Sequence, residues 1–333
     1  MIINILLFLV LVLSLNEFLL KKKLLGSSTG FKHQLFANKS VPLSGGIILF
    51  FPVVFFLFDS YKFFVFTYSF LFILGLLADL NFLISSKKRF FIQFLLILFF
   101  VLLLKLEVLP TRILFLDNYI ENTFLSYLLT IFCLLVLING SNFIDGLNGL
   151  LLGYILIVLF FLNKLSLLQT IGLNDEKIHY FALLFLFLLF LNFNNKLFLG
   201  DNGAYSLSFL LGFFLIKIYN LNVNLSPYFI ILLLWYPCFE NLFSIIRKFK
   251  YKSNPLNPDN KHLHQYLYAY IKKKFRFSDL LSNNISSLVI NTFNLIIFFL
   301  SAIRPEHTIH QLLLLMISIV IYLFSYNLLK KIR

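Results

Sequence analysis

The residue types able to do chemistry sit in four short polar stretches of an otherwise apolar chain. They are Ala78-Asp79 with Lys87-Lys88-Arg89, Asn139-Gly-Ser-Asn142-Phe-Ile-Asp145-Gly146, Phe198-Leu-Gly-Asp201-Asn-Gly203, and Pro258-Asp-Asn-Lys-His262-Leu-His264. Carboxylates and amides are costly at the ends of membrane helices, so they mark candidate functional sites. The pattern points to an enzyme handling a charged, phosphorylated substrate at a membrane surface.

Each stretch has a chemical reading and a structural one. Asp201 follows Gly200 at an expected helix start. Its carboxylate could hold Mg2+, which takes oxygen ligands and stays bound to substrate phosphates; it could equally cap the helix. Asn139, Asn142, Asp145 and Asn148 recur at every third position, which places them near one helix face. They could ligate a metal or hydrogen-bond a nucleotide, or could glue helices together. Asp79 is a candidate base or a support for a metal ligand. Lys87, Lys88 and Arg89 could neutralise a pyrophosphate, or simply follow the excess of basic residues on cytoplasmic loops. His262 and His264 could hold phosphate oxygens or a metal, or be exposed loop histidines; without a thiolate or third histidine nearby, zinc is disfavoured. Backbone N–H groups of Gly45 and Gly46, in Pro42-Leu-Ser-Gly-Gly, could touch substrate or form the turn that starts a helix.

The elements that must position these groups are membrane helices. The 333 residues are 60% hydrophobic and 13% charged, against about 25% charged in soluble domains. Apolar runs long enough to span a bilayer recur throughout. We expect an all-α, polytopic membrane protein with about eleven transmembrane helices, ten being the alternative count, near 2–20, 44–58, 62–77, 90–106, 123–139, 146–162, 179–195, 203–219, 228–246, 280–303 and 310–328. The stretch 163–178 is the weakest part of this reading. Lys21-Lys22-Lys23 after the first run marks an anchor with its N-terminus outside. The parity then makes loops of about 21–43, 78–89, 140–145, 196–202 and 247–279 cytoplasmic, which puts every polar stretch and most of the 28 Lys and Arg on one side. The whole of 1–333 reads as one transmembrane domain. Cys133 and Cys238 lie in apolar runs and read as small buried residues. The net charge of +14 suits anionic lipids and nucleotide substrates as well as cytoplasmic loops. No phosphate-binding loop of the ATPase type and no dinucleotide-binding fingerprint is present, and the Phe residues read as packing and lipid-facing groups, not as a nucleic-acid platform.

In this order the stretches resemble the polyprenyl-phosphate N-acetylhexosamine-1-phosphate transferases. That superfamily includes the enzymes that start O-antigen and teichoic acid linkage synthesis and phospho-N-acetylmuramoyl-pentapeptide transferase. The resemblance runs from Pro42 to His264, and Asn-x-x-Asn-Phe-Ile-Asp-Gly-x-x-Gly-Leu over 139–150 is its most specific part. It implies transfer of a sugar-1-phosphate from a UDP-N-acetylhexosamine to a polyprenyl phosphate such as undecaprenyl phosphate, release of UMP, and an Mg2+ requirement with Mn2+ as an alternative. It implies Asp201 as the main metal ligand with Asn142 assisting, and Lys88 at the pyrophosphate. Asn148 and Phe198 would lie at the uridine, His262 and His264 by the phosphates, and Asp79 and Asp145 would order the site or join the chemistry. It further implies a multi-pass protein of the inner (plasma) membrane, an active site on the cytoplasmic face, and a homodimer as one assembly.

The chain departs from the family in three places. Ala78-Asp79 stands where an Asp-Asp pair is usual, which puts the proton-accepting or lipid-orienting role of the first carboxylate in doubt. Asn148 stands where many members have Asp. His-Leu-His-Gln replaces three successive histidines, which argues against the muramoyl-pentapeptide enzyme and for the branch using small UDP-N-acetylhexosamines. A non-catalytic homologue and a lipid-linked sugar transporter are the competing expectations; polar groups at helix ends, not mid-span, count against the transporter.

Overall fold

A computed structural model describes residues 2–22, 25, 41–108, 110–252, 254 and 259–332. Most of loop 21–43, and Pro258 of the histidine motif, lie outside the described residues. Every regular element described is an α-helix: α1 (Ile2–Lys22), α2 (Gly45–Leu57), α3 (Lys62–Asp79), α4 (Ser86–Leu104), α5 (Leu114–Ile120), α6 (Thr123–Ile144), α7 (Leu150–Lys164), α8 (Leu167–Thr170), α9 (Asp175–Phe193), α10 (Gly200–Leu221), α11 (Pro227–Lys250), α12 (Leu263–Phe275), α13 (Asp279–Ser301) and α14 (Thr308–Ile332).

Each of the eleven expected apolar segments has a counterpart: α1 to α4, α6, α7, α9 to α11, α13 and α14. Seven of the described helices, α3, α6, α9, α10, α11, α13 and α14, are long and apolar enough to cross a bilayer. The 163–178 stretch holds only the four-residue α8 between α7 and α9. Large apolar side chains such as Phe51, Phe55, Phe190 and Phe324 face outward, as expected where lipid is the solvent.

Helix α10 is the hub. It packs on α2, α3 and α6, and small residues set the spacing. A Cβ on Gly75 of α3 would lie 2.4 Å from the Cα of Asn202, and one on Gly46 of α2 would lie 2.3 Å from the backbone N of Gly203. Neither helix could come this close with a larger residue.

Helix α11 contains Pro237, which lacks the N–H that would bond the carbonyl of Leu233. Tyr154 of α7 supplies that bond, donating its hydroxyl to the Leu233 oxygen at 2.9 Å. The adjacent Pro237 carbonyl meets Gly140 of α6 closely enough that a Cβ there would clash. The two cysteines depart from expectation: Cys133 is exposed on α6 and Cys238 half-buried on α11. A small apolar residue fits a lipid-facing position as readily as a core one.

Candidate active site

The site is assembled where polar residues end or interrupt the helices. A cavity of about 330 Å3 is lined by Arg89 and Gln93 of α4, Asn139 and Asn142 of α6, Asp201 and Tyr205 of α10, Lys248 of α11, and Asp259 and His262 of the following segment. Three of the sequence-expected residues, Asn142, Asp201 and His262, therefore share one space despite lying far apart in the chain.

Asp201 is set by Asp79. Gly200 takes φ +81, a conformation open to glycine, and α10 begins there with its first N–H groups pointing at α3. Asp79 accepts the N–H of Asp201 at 2.9 Å and that of Asn202 at 3.0 Å. It also accepts the Asn202 side-chain amide at 2.5 Å. A carboxylate from another helix thus does the work of an N-cap, satisfying donors that helix geometry leaves unpaired. Asp79 does not itself line the cavity; it holds the residue that does.

Arg89 reaches across from α4 and donates to Asp201 Oδ2 at 2.6 Å, with the Tyr205 hydroxyl 3.3 Å from the same oxygen. Lys88, the basic residue assigned to the pyrophosphate by resemblance, is exposed, and its backbone N–H is bonded to the Ser85 hydroxyl that caps α4. Successive helical residues are about 100° apart, so only one of three adjacent cations can face the cavity, and it is Arg89.

The Asn139 stretch is more helical than expected. The sequence reading placed a loop at 140–145; α6 instead runs to Ile144 and α7 starts at Leu150. Asn139 donates to the Leu135 carbonyl one turn back and to Gln93 of α4, so it ties two helices without breaking its own. Asn139 and Asn142 share the cavity-facing side of α6 as their spacing implied. The common face ends there. Asp145 caps the C-terminus of α6, donating its N–H to the Ser141 carbonyl, and is buried. Asn148 lies in the break between α6 and α7, also buried; its N–H goes to Asn283 of α13 and its side-chain amide to Asn195.

Gly45, Gly46 and Phe198, expected at the substrate, sit behind the cavity wall. Gly45 and Gly46 donate their N–H groups to the carbonyls of Phe198 and Leu199. Phe198 is fully buried against Val41 and Leu43. These residues bind the start of α2 to the start of α10.

The two histidines differ. His262 lines the cavity, with Nδ1 2.9 Å from Glu240 and Nε2 3.4 Å from Asp259. Asp259 also accepts two bonds from Arg247, at 3.1 and 2.9 Å. Burial pushes the Asp259 carboxyl up, but His262, Arg247 and Lys248 outweigh it and hold Asp259 below the usual carboxylate range. His264 is fully buried behind His262, its ring nearly parallel with centroids 5.5 Å apart. Among the described residues neither of its nitrogens has a hydrogen-bond partner, and burial drives its imidazole down to about 3. It packs behind His262, off the cavity wall, and Gly146 leaves room for it. Both rings are buried, so the exposed-loop reading of this pair does not hold.

Sequence reasoning named Arg89 only together with Lys87 and Lys88, and missed Glu240, Lys248 and helix α12. A carboxylate inside the apolar run that becomes α11 was the available signal for Glu240. For α12 it was Gln265 three residues after His262, with Lys272-Lys273-Lys274 in the last turn.

Carboxylate, amide, guanidinium and imidazole groups around one cavity, in a bundle of helices apolar enough to cross a membrane, suit an anionic, phosphorylated ligand. Residues 61–219 match the model of glycosyl transferase family 4. The chain is 28% identical over 263 residues, covering 75% of itself and 68% of the relative, to a probable undecaprenyl-phosphate N-acetylglucosaminyl 1-phosphate transferase of Bacillus subtilis. It is 29% identical over 230 residues, 68% of each chain, to an undecaprenyl-phosphate alpha-N-acetylglucosaminyl 1-phosphate transferase of Thermotoga maritima. Residues 61–219 are thus similar to glycosyl transferase family 4, and the chain as a whole is similar to undecaprenyl-phosphate N-acetylglucosaminyl 1-phosphate transferases.

Proposed function

We propose that the chain transfers N-acetylhexosamine-1-phosphate from a UDP-sugar to a polyprenyl phosphate, with undecaprenyl phosphate as the first candidate, and releases UMP. The product would start a lipid-linked glycan of the O-antigen, cell-wall or capsule type. The observation that carries the reading is the single cavity where Asp201, Asn142, Arg89, Lys248 and His262 meet. Cations and neutral donors on its wall suit a phosphate-rich donor, and helix ends give a lipid phosphate access from the membrane surface. In this reading eleven helices cross the inner membrane, the N-terminus is outside, and the cavity opens to the cytoplasm.

Asp201 and Asn142 offer hard oxygen donors on one wall, a set that fits Mg2+, or Mn2+ in its place. Among the described residues no three His, Cys, Asp or Glu side chains form a metal cage. That too suits Mg2+, which needs few protein ligands when substrate phosphates supply the rest. When bound, the ion would neutralise charge on the bridging phosphates. The chain's own groups do the remaining work. An oxygen of the lipid phosphate attacks the β-phosphorus of the UDP-sugar, the bond from that phosphorus to the bridging oxygen breaks, and UMP leaves with the electron pair. Arg89, Lys248 and His262 balance the charge that develops, and Asp79 keeps Asp201 in place. The lipid phosphate is already ionised near neutral pH, so a strong base is not needed, and the alanine at position 78 does not block the reaction.

The test is UMP release by purified protein with undecaprenyl phosphate, Mg2+ and a panel of UDP-N-acetylhexosamines. UDP-N-acetylglucosamine comes first, since both relatives are named for that sugar. Release with a donor is expected; no release with any of them, from folded protein, overturns the reading.

A further inference from the structure

Glu240 is a carboxylate fully buried in α11, far from the ends of the helix. A carboxylate in that setting must be paired or hydrogen-bonded. It has three partners. His262 Nδ1 lies 2.9 Å from Oε1, the Leu263 N–H points at the same oxygen at 3.4 Å, and the Tyr322 hydroxyl of α14 donates to Oε2 at 2.8 Å. Glu240 is not part of the cavity wall, whereas His262 is.

An ionised carboxylate only accepts, so Nδ1 is the nitrogen that carries a proton toward Glu240. The bond at one imidazole nitrogen decides what the other offers. Nε2 is turned toward Asp259, itself on the cavity wall. The parallel His264 ring and Phe143, 5.0 Å from the His262 centroid, restrict the ring's rotation.

We infer that Glu240, held by Tyr322, is a positioning residue that accepts the Nδ1 proton of His262 and fixes the ring's orientation, so that Nε2 faces the phosphates of the substrate and donates to them when it too carries a proton. This rests on the transferase reading for its catalytic part alone. It gives α14, which lies beyond the family-matched region 61–219, a share in the active site through one hydroxyl.

The experiment compares wild type, Glu240→Gln, Glu240→Asp and Tyr322→Phe in the full chain in lipid nanodiscs. Two quantities are read: 15N signals of labelled histidine, with His262 assigned through a His262→Gln sample, and kcat and KM for UMP release. In wild type, Nδ1 of His262 is expected to carry a proton. Glu240→Gln is expected to move the His262 signals and lower kcat about ten- to a hundredfold, the effect typical of losing a group that orients a functional histidine, with KM for the donor nearly unchanged. Glu240→Asp, which keeps the charge, should recover part of the loss. Unmoved His262 signals, or moved signals with unchanged kcat, in folded Glu240→Gln protein overturn the inference. If the Glu240 variants do not fold, Tyr322→Phe decides: a smaller shift of the same signals with a several-fold lower kcat supports it, and no change overturns it. If the wild type releases no UMP with any donor, the transferase reading fails, while the histidine signals still decide the positioning.

Discussion

Asp79 of α3 and Asp201 of α10 meet as a side chain and a backbone: the Asp79 carboxylate accepts the Asp201 N–H at 2.9 Å. The two carboxylates thus divide their work, one holding the helix start and the other facing the cavity. Asp79→Ala would leave the N–H groups of Asp201 and Asn202 without this acceptor and take one of two acceptors from the Asn202 side chain. It should destabilise the protein by about 1–3 kcal/mol and misplace Asp201, while Asp79→Asn, which keeps one acceptor oxygen, should cost less. Thermal unfolding in detergent and UMP release check this; equal stability of Asp79→Ala and wild type would contradict the capping role.

Gly200 tests the same joint from the other side. A Cβ there would meet Asp79 Oδ2 at 2.7 Å, at a backbone φ of +81. Gly200→Ala should lose about 1–2 kcal/mol from the left-handed backbone alone and lower activity through Asp201. Wild-type stability would show that α10 does not need this start.

Arg89 and Lys88 are neighbours with different expected effects. Arg89 occupies Asp201 in the resting site, so a divalent cation bound there must share or displace it. Arg89→Ala should lower the Mg2+ concentration for half-maximal activity and also lower kcat, because a cation is lost from the phosphate site. Lys88→Ala should stay within about twofold of wild type, since changes at exposed positions are usually small. A metal titration of both variants reads the contrast, and the reverse ranking would return the role to Lys88.

Much of this site was legible because polar residues are conspicuous in an apolar chain. Asp201, Asn142 and His262 were marked by type and spacing alone, and all three line the cavity. Which of Lys87, Lys88 and Arg89 faces inward was not legible, since that depends on the rotational phase of α4 around its axis. The position of Asp145 and Asn148 off the cavity wall was not legible for a related reason. A helical face was extended over residues 145–149, where the helix stops. The eleven apolar segments were readable from hydropathy. Helix α12 was not, because its polar face and the histidine motif read together as loop. Glu240 was visible as a charge inside an apolar run, but its partners His262 and Tyr322 are distant in sequence.

His264 gives a pH dependence. Its folded imidazole sits at about 3, against about 6.5 when unfolded. Between those values the unfolded chain binds the extra proton, so stability is lost as pH falls from about 6.5 toward 3. His264→Phe removes this component. The Tm of wild type should therefore fall relative to that of the variant as pH is lowered from 7 to 4. A difference constant with pH would show that His264 is not buried neutral.

The most direct test of the account is Mg2+-dependent UMP release by Asp201→Asn beside wild type, both shown to be folded in the membrane. Asp201 is the one carboxylate on the cavity wall that α3, α4 and α10 all act to position. The account predicts near-complete loss of release with thermal stability close to wild type. Release at the wild-type rate would contradict it.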